Sequence, residues 1–138
     1  MKNVVITGVG IKSCIGNSYD DVLESLKNGK SGIVSNSSYA DMGFRSQVSG
    51  SIDIDFSELI DRKLLRFMGE SAAYSYLAAK DAIEMSHLTD KDLDSPRVGI
   101  VAGSGGASTR VMVSTADITR EKGPKRICLL YTSPSPRD

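Results

Sequence analysis

The sequence predicts an α/β fold with parallel strands and packed helices. Three observations carry that expectation. Two short β-branched runs each end in glycine, an apolar helical periodicity lies between them, and the signals run strand, helix, helix, strand, helix. With 138 residues, 40% of them hydrophobic, the chain has material for one globular core.

Residues 4–7, Val-Val-Ile-Thr, are largely apolar on both faces and read as a central parallel strand. Gly8, Gly10 and Gly16 then clear side chains from the loop before a helix start. Asn17 or Ser18 is placed to cap that helix, and Asp20 and Asp21 suit the positive end of its dipole. Val22, Leu23 and Leu26 face inward, and the helix stops at Gly29. Residues 33–41 read as a polar, Ser-rich loop. Residues 45–54 alternate in places (Val48, Ile52, Ile54) and hold short extended segments.

Residues 57–60 form a helical turn, with Asp55 or Ser57 as its cap. A long helix covers residues 70–85, where Ala72, Ala73, Tyr76, Leu77, Ala79 and Ile83 recur at helical spacing. Its alanines permit close packing. Residues 88–93 are a connector with a short helical turn, ended by Pro96. Residues 98–102 read as a second buried strand, followed by Gly103-Ser104-Gly105-Gly106. Ser108 opens a last helix through about Arg120.

Charge is balanced at 17 basic against 17 acidic residues, which points away from nucleic acid. Apolar runs are too short for a transmembrane helix. Met1-Lys2-Asn3 leads straight into the first strand, a cytoplasmic start. Cys14 and Cys128 are too few for a disulfide framework and wrongly spaced for zinc, so no metal is expected.

Two chemistries compete for residues 4–17. A dinucleotide fingerprint needs G-x-G-x-x-G with its third glycine at the helix start. Here Ser13 stands three residues after Gly10, and Gly16 comes too late. The alternative emerges further along the chain. Val5-Ile6-Thr7-Gly8-x-Gly10, Ile15-Gly16-Asn17 and the run from Leu26 through Lys30-Ser31-Gly32-Ile33 resemble the amino terminus of β-ketoacyl-[acyl carrier protein] synthases. Met42-Gly43-Phe44-Arg45-Ser46, the run 59–68 (Leu-Ile-Asp-Arg-Lys-Leu-Leu-Arg-Phe-Met) and the run 97–106 resemble the same family in the same order. The similarity covers residues 1 to about 127 and is nearest the synthase I branch.

The resemblance implies a thiolase-like fold, of which this chain is an incomplete amino-terminal half. It implies decarboxylative Claisen condensation with malonyl carrier protein in fatty acid synthesis, through a nucleophilic cysteine and two histidines. No counterpart of those three is identified here, so no catalytic residue is assigned and the chain alone is expected to be inactive. No cofactor is implied. The implied partners are acyl carrier protein and, in the full-length family, a second copy of the enzyme. From residue 128 the chain reads Cys-Leu-Leu-Tyr-Thr-Ser-Pro-Ser-Pro-Arg-Asp. Alternating Ser-Pro favours an extended coil, and the run resembles a translated sequencing adapter. The expected organisation is a truncated synthase region over 1–127 and an unrelated disordered tail over 128–138.

Cys14 lies in the first loop, and a small buried side chain is its favoured role. His87 closes the long helix, where it meets terminal carbonyls. Arg62, Lys63 and Arg66 form a basic cluster with Arg62 and Arg66 on one helical face. A solvated face is the ordinary role of such a cluster. In the resembling family this segment holds the acidic helix of carrier protein, with Lys125 and Arg126 as a second basic patch. Gly103–Gly106 lacks the Gly-Lys-Ser/Thr ending of a phosphate loop. The resemblance sets Gly105 and Gly106 near the acyl pocket and dimer interface, with Gly106 leaving room for a growing chain. Rival readings are a synthase II or polyketide-type enzyme, a non-catalytic carrier-binding module, and a nicotinamide oxidoreductase.

Overall fold

The computed structural model describes residues 3–106 and 108–126. Residues 127–138, with Cys128 and the expected tail, lie outside the described residues, and so does the side chain of Arg126. The chain divides into two units. One joins residues up to Asp55 with Tyr76–Ser95; the other joins Phe56–Ser75 with the described residues from Pro96 on.

In the first unit, α1 (Tyr19–Lys27) starts at Ser18, whose Oγ accepts the Asp21 N–H at 3.2 Å. Asp20 and Asp21 occupy its first turn, as its dipole favours. Val22 and Ser25 are buried, and the Ser25 hydroxyl donates to the Ile15 carbonyl at 2.6 Å. Leu26, expected inward, is exposed. The loop before α1 covers the Ser25 side of the helix and leaves Leu26 to solvent. The helix closes on Gly29 (φ 62°), with Lys30 N–H donating to Ser25 O at 2.8 Å and Gly29 N–H to Leu26 O at 3.3 Å. This paired closure requires a left-handed residue, which glycine adopts without a Cβ penalty.

Residues 33–41, expected as a loop, form two short elements instead. β1 (Ile33–Ser35) pairs antiparallel with β2 (Val48–Gly50), setting Val34 opposite Ser49. Asn36 caps α2 (Ser37–Asp41), and its Nδ2 donates to Ser49 Oγ at 3.0 Å. α2 ends on Gly43 (φ 71°), with Phe44 N–H donating to Tyr39 O at 2.9 Å. The Tyr39 and Phe44 rings meet edge to face at 5.3 Å, the apolar contact that accompanies such caps. Elements this short have no readable period, so cap chemistry and cross-strand pairing decide them.

The second unit holds α3 (Phe56–Leu59), α4 (Arg62–Leu65) and the start of α5 (Glu70–Ser86), which continues into the first unit. Ile60 and Ala73 are buried, and Phe56 stacks edge to face on Tyr74 at 4.8 Å. In the first unit, α5 buries Leu77 and is closed by His87, whose N–H donates to Glu84 O at 3.1 Å with φ at 56°. Thr89 and Asp92 then form a reciprocal capping box on α6 (Asp90–Leu93). In the second unit, α7 (Thr109–Lys122) follows Ser108 and leads through Gly123 into a 3-10 turn, Pro124–Arg126.

The two expected parallel strands are not formed. Residues 4–7 and 98–102 carry no ladder, and Ile6 and Ile100 are 86% and 92% exposed. Among the described residues the one named sheet is the antiparallel β1–β2 pair. A parallel strand is completed by backbone partners remote in sequence, and neither run has one among the described residues. The parallel-strand part of the expectation is therefore not confirmed: the described residues form helices and a small antiparallel pair.

Candidate functional site

The glycine-rich opening is held on α5. A Cβ on Gly8 would fall far inside 3.0 Å of the Ala82 carbonyl oxygen, and one on Gly10 closer still to that of Ala78. Backbone thus rests on backbone, which only glycine permits. Lys12 fastens the segment: its Nζ donates to Asp81 Oδ2 at 2.5 Å and to the Asn17 carbonyl at 2.7 Å. The Lys12 side chain is 10% exposed, so this pair is shielded from solvent on one side. Val9 N–H donates to Met85 Sδ at 3.3 Å. The chain then reverses between Ser13 and Gly16, which exchange N–H···O bonds of 3.0 and 3.2 Å. The faces of Gly8 and Gly10 are thereby filled by a helix, and a pyrophosphate has no room on them.

Cys14 sits at the tip of this reversal and is exposed, against the expected burial. Its Sγ crowds Gly32 and Gly50, where an added Cβ would come within 2.8 and 2.9 Å of the sulfur. A cavity of about 390 Å³ opens beside it, lined by Asn17, Asp21, Glu24, Lys30 and Asp53 among others. No hydrogen bond joins Cys14 to His87 among the described residues. No group of three or more His, Cys, Asp or Glu side chains close enough to hold a metal occurs among them either.

The second unit contains a larger cleft of about 960 Å³. Met68, Ala72, Val111 and Met112 supply apolar wall, and Arg66 and Gly106 both line it. The structure therefore brings together two sequence-predicted residues, one from the basic cluster and one from the glycine loop. Gly105 is not part of the lining. An added Cβ on Gly103, Gly105 or Gly106 would meet nothing within 4 Å, so this loop is open where the first is filled. Ser104 braces it, its hydroxyl donating to the Gly106 carbonyl at 2.7 Å.

Arg62, Lys63 and Arg66 are exposed. Asp61 caps α4, its Oδ1 accepting the Lys63 N–H at 2.8 Å, and Arg66 N–H donates to Arg62 O at 3.2 Å. Arg62 and Arg66 are thus one turn apart. The Arg66 guanidinium also lies 5.7 Å from the Phe67 ring centroid, a cation–π distance. Lys125 is exposed in the 3-10 turn.

Sequence reasoning missed the hydroxyl and apolar lining of the cleft. A signal was present: Ser71 and Ser75 are four apart on α5, and Ser108 and Thr115 seven apart along α7, the spacing of one helical face. The Lys12–Asp81 pair had no such signal, because 69 residues separate its members.

Residues 1–133 match the family model of the β-ketoacyl synthase amino-terminal domain. The chain is 45% identical to 3-oxoacyl-[acyl-carrier-protein] synthase 1 of Haemophilus influenzae over 127 residues, covering 92% of this chain and 31% of that protein. The corresponding Escherichia coli synthase 1 is 45% identical over 91% of this chain and 30% of its own length. A synthase 2 from Coxiella burnetii is less similar, 30% identical over 91% of this chain. The chain thus spans about a third of the length of these curated relatives. It belongs to the β-ketoacyl synthase family, whose fold is thiolase-like, and within that family it is more like these synthase 1 proteins than like that synthase 2.

Proposed function

We propose, on the premise of that membership, that the chain is the amino-terminal part of a synthase I-type condensing enzyme. The observation that carries the reading is the 45% identity to synthase 1 proteins across nine-tenths of the chain. In that chemistry an acyl group passes from carrier-protein thioester to a cysteine thiolate, releasing the carrier thiol. Malonyl carrier protein then loses carbon dioxide, and the resulting carbanion attacks the acyl-cysteine carbonyl and expels the thiolate. The thiolate and its two histidines would come from sequence other than residues 1–127. Bare apolar runs at 4–7 and 98–102 support this, since parallel strands of a complete domain would cover them. The region would end near residue 127, and the family match running to residue 133 leaves that boundary to the genomic sequence.

Arg62, Lys63 and Arg66 take the role of carrier-protein docking in this reading, with Lys125 and Arg126 as a second patch. Their support is an exposed cationic turn beside an apolar cleft. Gly105 and Gly106 take the acyl-pocket and dimer-interface role, supported at Gly106 by the open space beside it. A cytoplasmic location and a homodimer belong to the same reading and rest on the family alone; no helix among the described residues is long and apolar enough to cross a membrane.

Two measurements test the reading. The full chain incubated with acyl and malonyl carrier proteins is expected to release no carbon dioxide; measurable turnover refutes the absence of the catalytic set. Carrier-protein association is expected to slow about tenfold at low salt when Arg62, Lys63 and Arg66 are all changed to Glu, and to weaken with added salt in the parent chain. Unchanged association in the triple variant removes the docking role.

A further inference from the structure

The contact between Val9 and Met85 couples the glycine-rich opening to the oxidation state of one sulfur. The segment 8–10 has three constraints on its seat. Gly8 and Gly10 rest on the carbonyls of Ala82 and Ala78 with no room for even a methyl group. Lys12 is anchored on Asp81. The N–H between the two glycines, that of Val9, ends on the thioether Sδ of Met85 at 3.3 Å. A thioether is a weak, neutral acceptor and is the oxidisable atom among side-chain hydrogen-bond acceptors of this segment. Met85 is 41% exposed, so a small oxidant in solvent reaches it.

We propose that Met85 is a redox-sensitive latch, and that its conversion to the sulfoxide by a hydroperoxide releases residues 8–10 from α5 while Lys12 stays paired to Asp81. In the reaction a sulfur lone pair attacks one peroxide oxygen and the O–O bond breaks. Sulfur is oxidised by two electrons to S=O, and hydrogen peroxide is reduced to water. The weak apolar acceptor under the Val9 N–H is thereby replaced by a bulkier, strongly hydrated S=O group. The segment cannot yield toward the helix, because Gly8 and Gly10 are seated on carbonyl oxygens. It cannot slide freely, because Lys12 is paired. Relief comes by lifting away from α5, and reduction of the sulfoxide reseats it. Met42 and Met112 are more exposed than Met85, but their sulfurs accept no hydrogen bond among the described residues, so their oxidation leaves the segment in place.

The test uses the full 138-residue chain treated with graded hydrogen peroxide. Sulfoxide at each methionine is quantified by peptide mass spectrometry, and amide exchange is followed in residues 8–12. Exchange is expected to quicken about three- to tenfold, the protection of one hydrogen bond, in proportion to Met85 sulfoxide, and to return after methionine sulfoxide reductase. With Cys14, whose exposed thiol also reacts with peroxide, changed to Ser in every sample, Met85→Leu is expected to show no response to peroxide. A variant with Met42, Met68 and Met112 all changed to Leu is expected to respond as the parent does, and decides the matter alone if Met85→Leu does not fold. A peroxide response that survives in Met85→Leu overturns the proposal. So does unchanged exchange in the triple variant once Met85 is fully oxidised.

Discussion

Two segments of this chain have the same local grammar and opposite surroundings. Each is a β-branched run followed by glycines and then by a helix opened by serine. At residues 8–10 the glycines are seated against the carbonyls of Ala78 and Ala82. At residues 103–106 nothing would touch an added methyl group within 4 Å, and Gly106 lines an open cleft. Glycine serves close approach in the first segment and leaves a cavity open in the second. The same residue type thus answers to two different constraints, and only the neighbour across space distinguishes them.

Substitution of the glycines is the most severe test of that contrast. Gly10→Ala is expected to destabilise the chain by about 3 kcal/mol, at the upper end of overpacking costs because the obstacle is backbone and cannot rotate aside. Gly105→Ala, in open space, is expected to stay within about 0.5 kcal/mol of the parent. Denaturant midpoints read both, and equal shifts would break the comparison. The anchor of the first segment is the next largest effect. Lys12→Met and Asp81→Leu are expected to show a coupling of about 1–2 kcal/mol in a double-mutant cycle, whereas the exposed Glu70–Arg110 pair of the second unit, 2.7 Å apart, is expected to give less than about 1 kcal/mol.

The serines that open the two following helices sharpen the comparison further. Ser18 caps α1 through its side chain, and Ser108 makes no such bond to α7. Ser18→Ala is expected to cost about 1 kcal/mol, and Ser108→Ala a few tenths. Outside both segments, a small pH effect is expected at α6. The Thr89 hydroxyl and backbone N–H hold the Asp92 carboxyl below the ordinary aspartate value of 3.8. A depressed value means the box contributes above the unfolded pKa and is lost as pH falls through the folded one. Carboxyl NMR is expected to show Asp92 titrating below 3.8 and Thr89→Ala moving it upward. An unmoved titration would remove the capping bond as its cause.

Much of the helical content was legible in the sequence. The long helix expected over 70–85 runs over Glu70–Ser86, the start at Ser108 is as expected, and of the two expected caps, Asn17 or Ser18, the structure uses Ser18. Caps and periodicity are local, so a short window contains them. The motifs that carry the family resemblance were also legible, although two of them serve here as helix stops at Gly29 and Gly43. Burial was less legible. Cys14 and Leu26 are apolar or small and read as inward, yet both are exposed, because exposure depends on what packs across space. The candidate site divides in the same way. The exposed turn at Arg62 and Lys63 follows from its charges, while the joining of Arg66 and Gly106 in one cleft depends on α5 and α7.

By itself the sequence determined the three longer helices, the serines that open α1 and α7, the family and the charge of the α4 turn. Each of these rests on residue identities within a few positions, or on the order of motifs. Tertiary structure alone decided that residues 4–7 and 98–102 stay unpaired, that Gly10 is filled and Gly106 open, and that Lys12 meets Asp81. Those outcomes rest on backbone partners and neighbouring atoms tens of residues away. A strand needs the hydrogen bonds of another strand, and a missing Cβ has meaning only through the atom that would have met it.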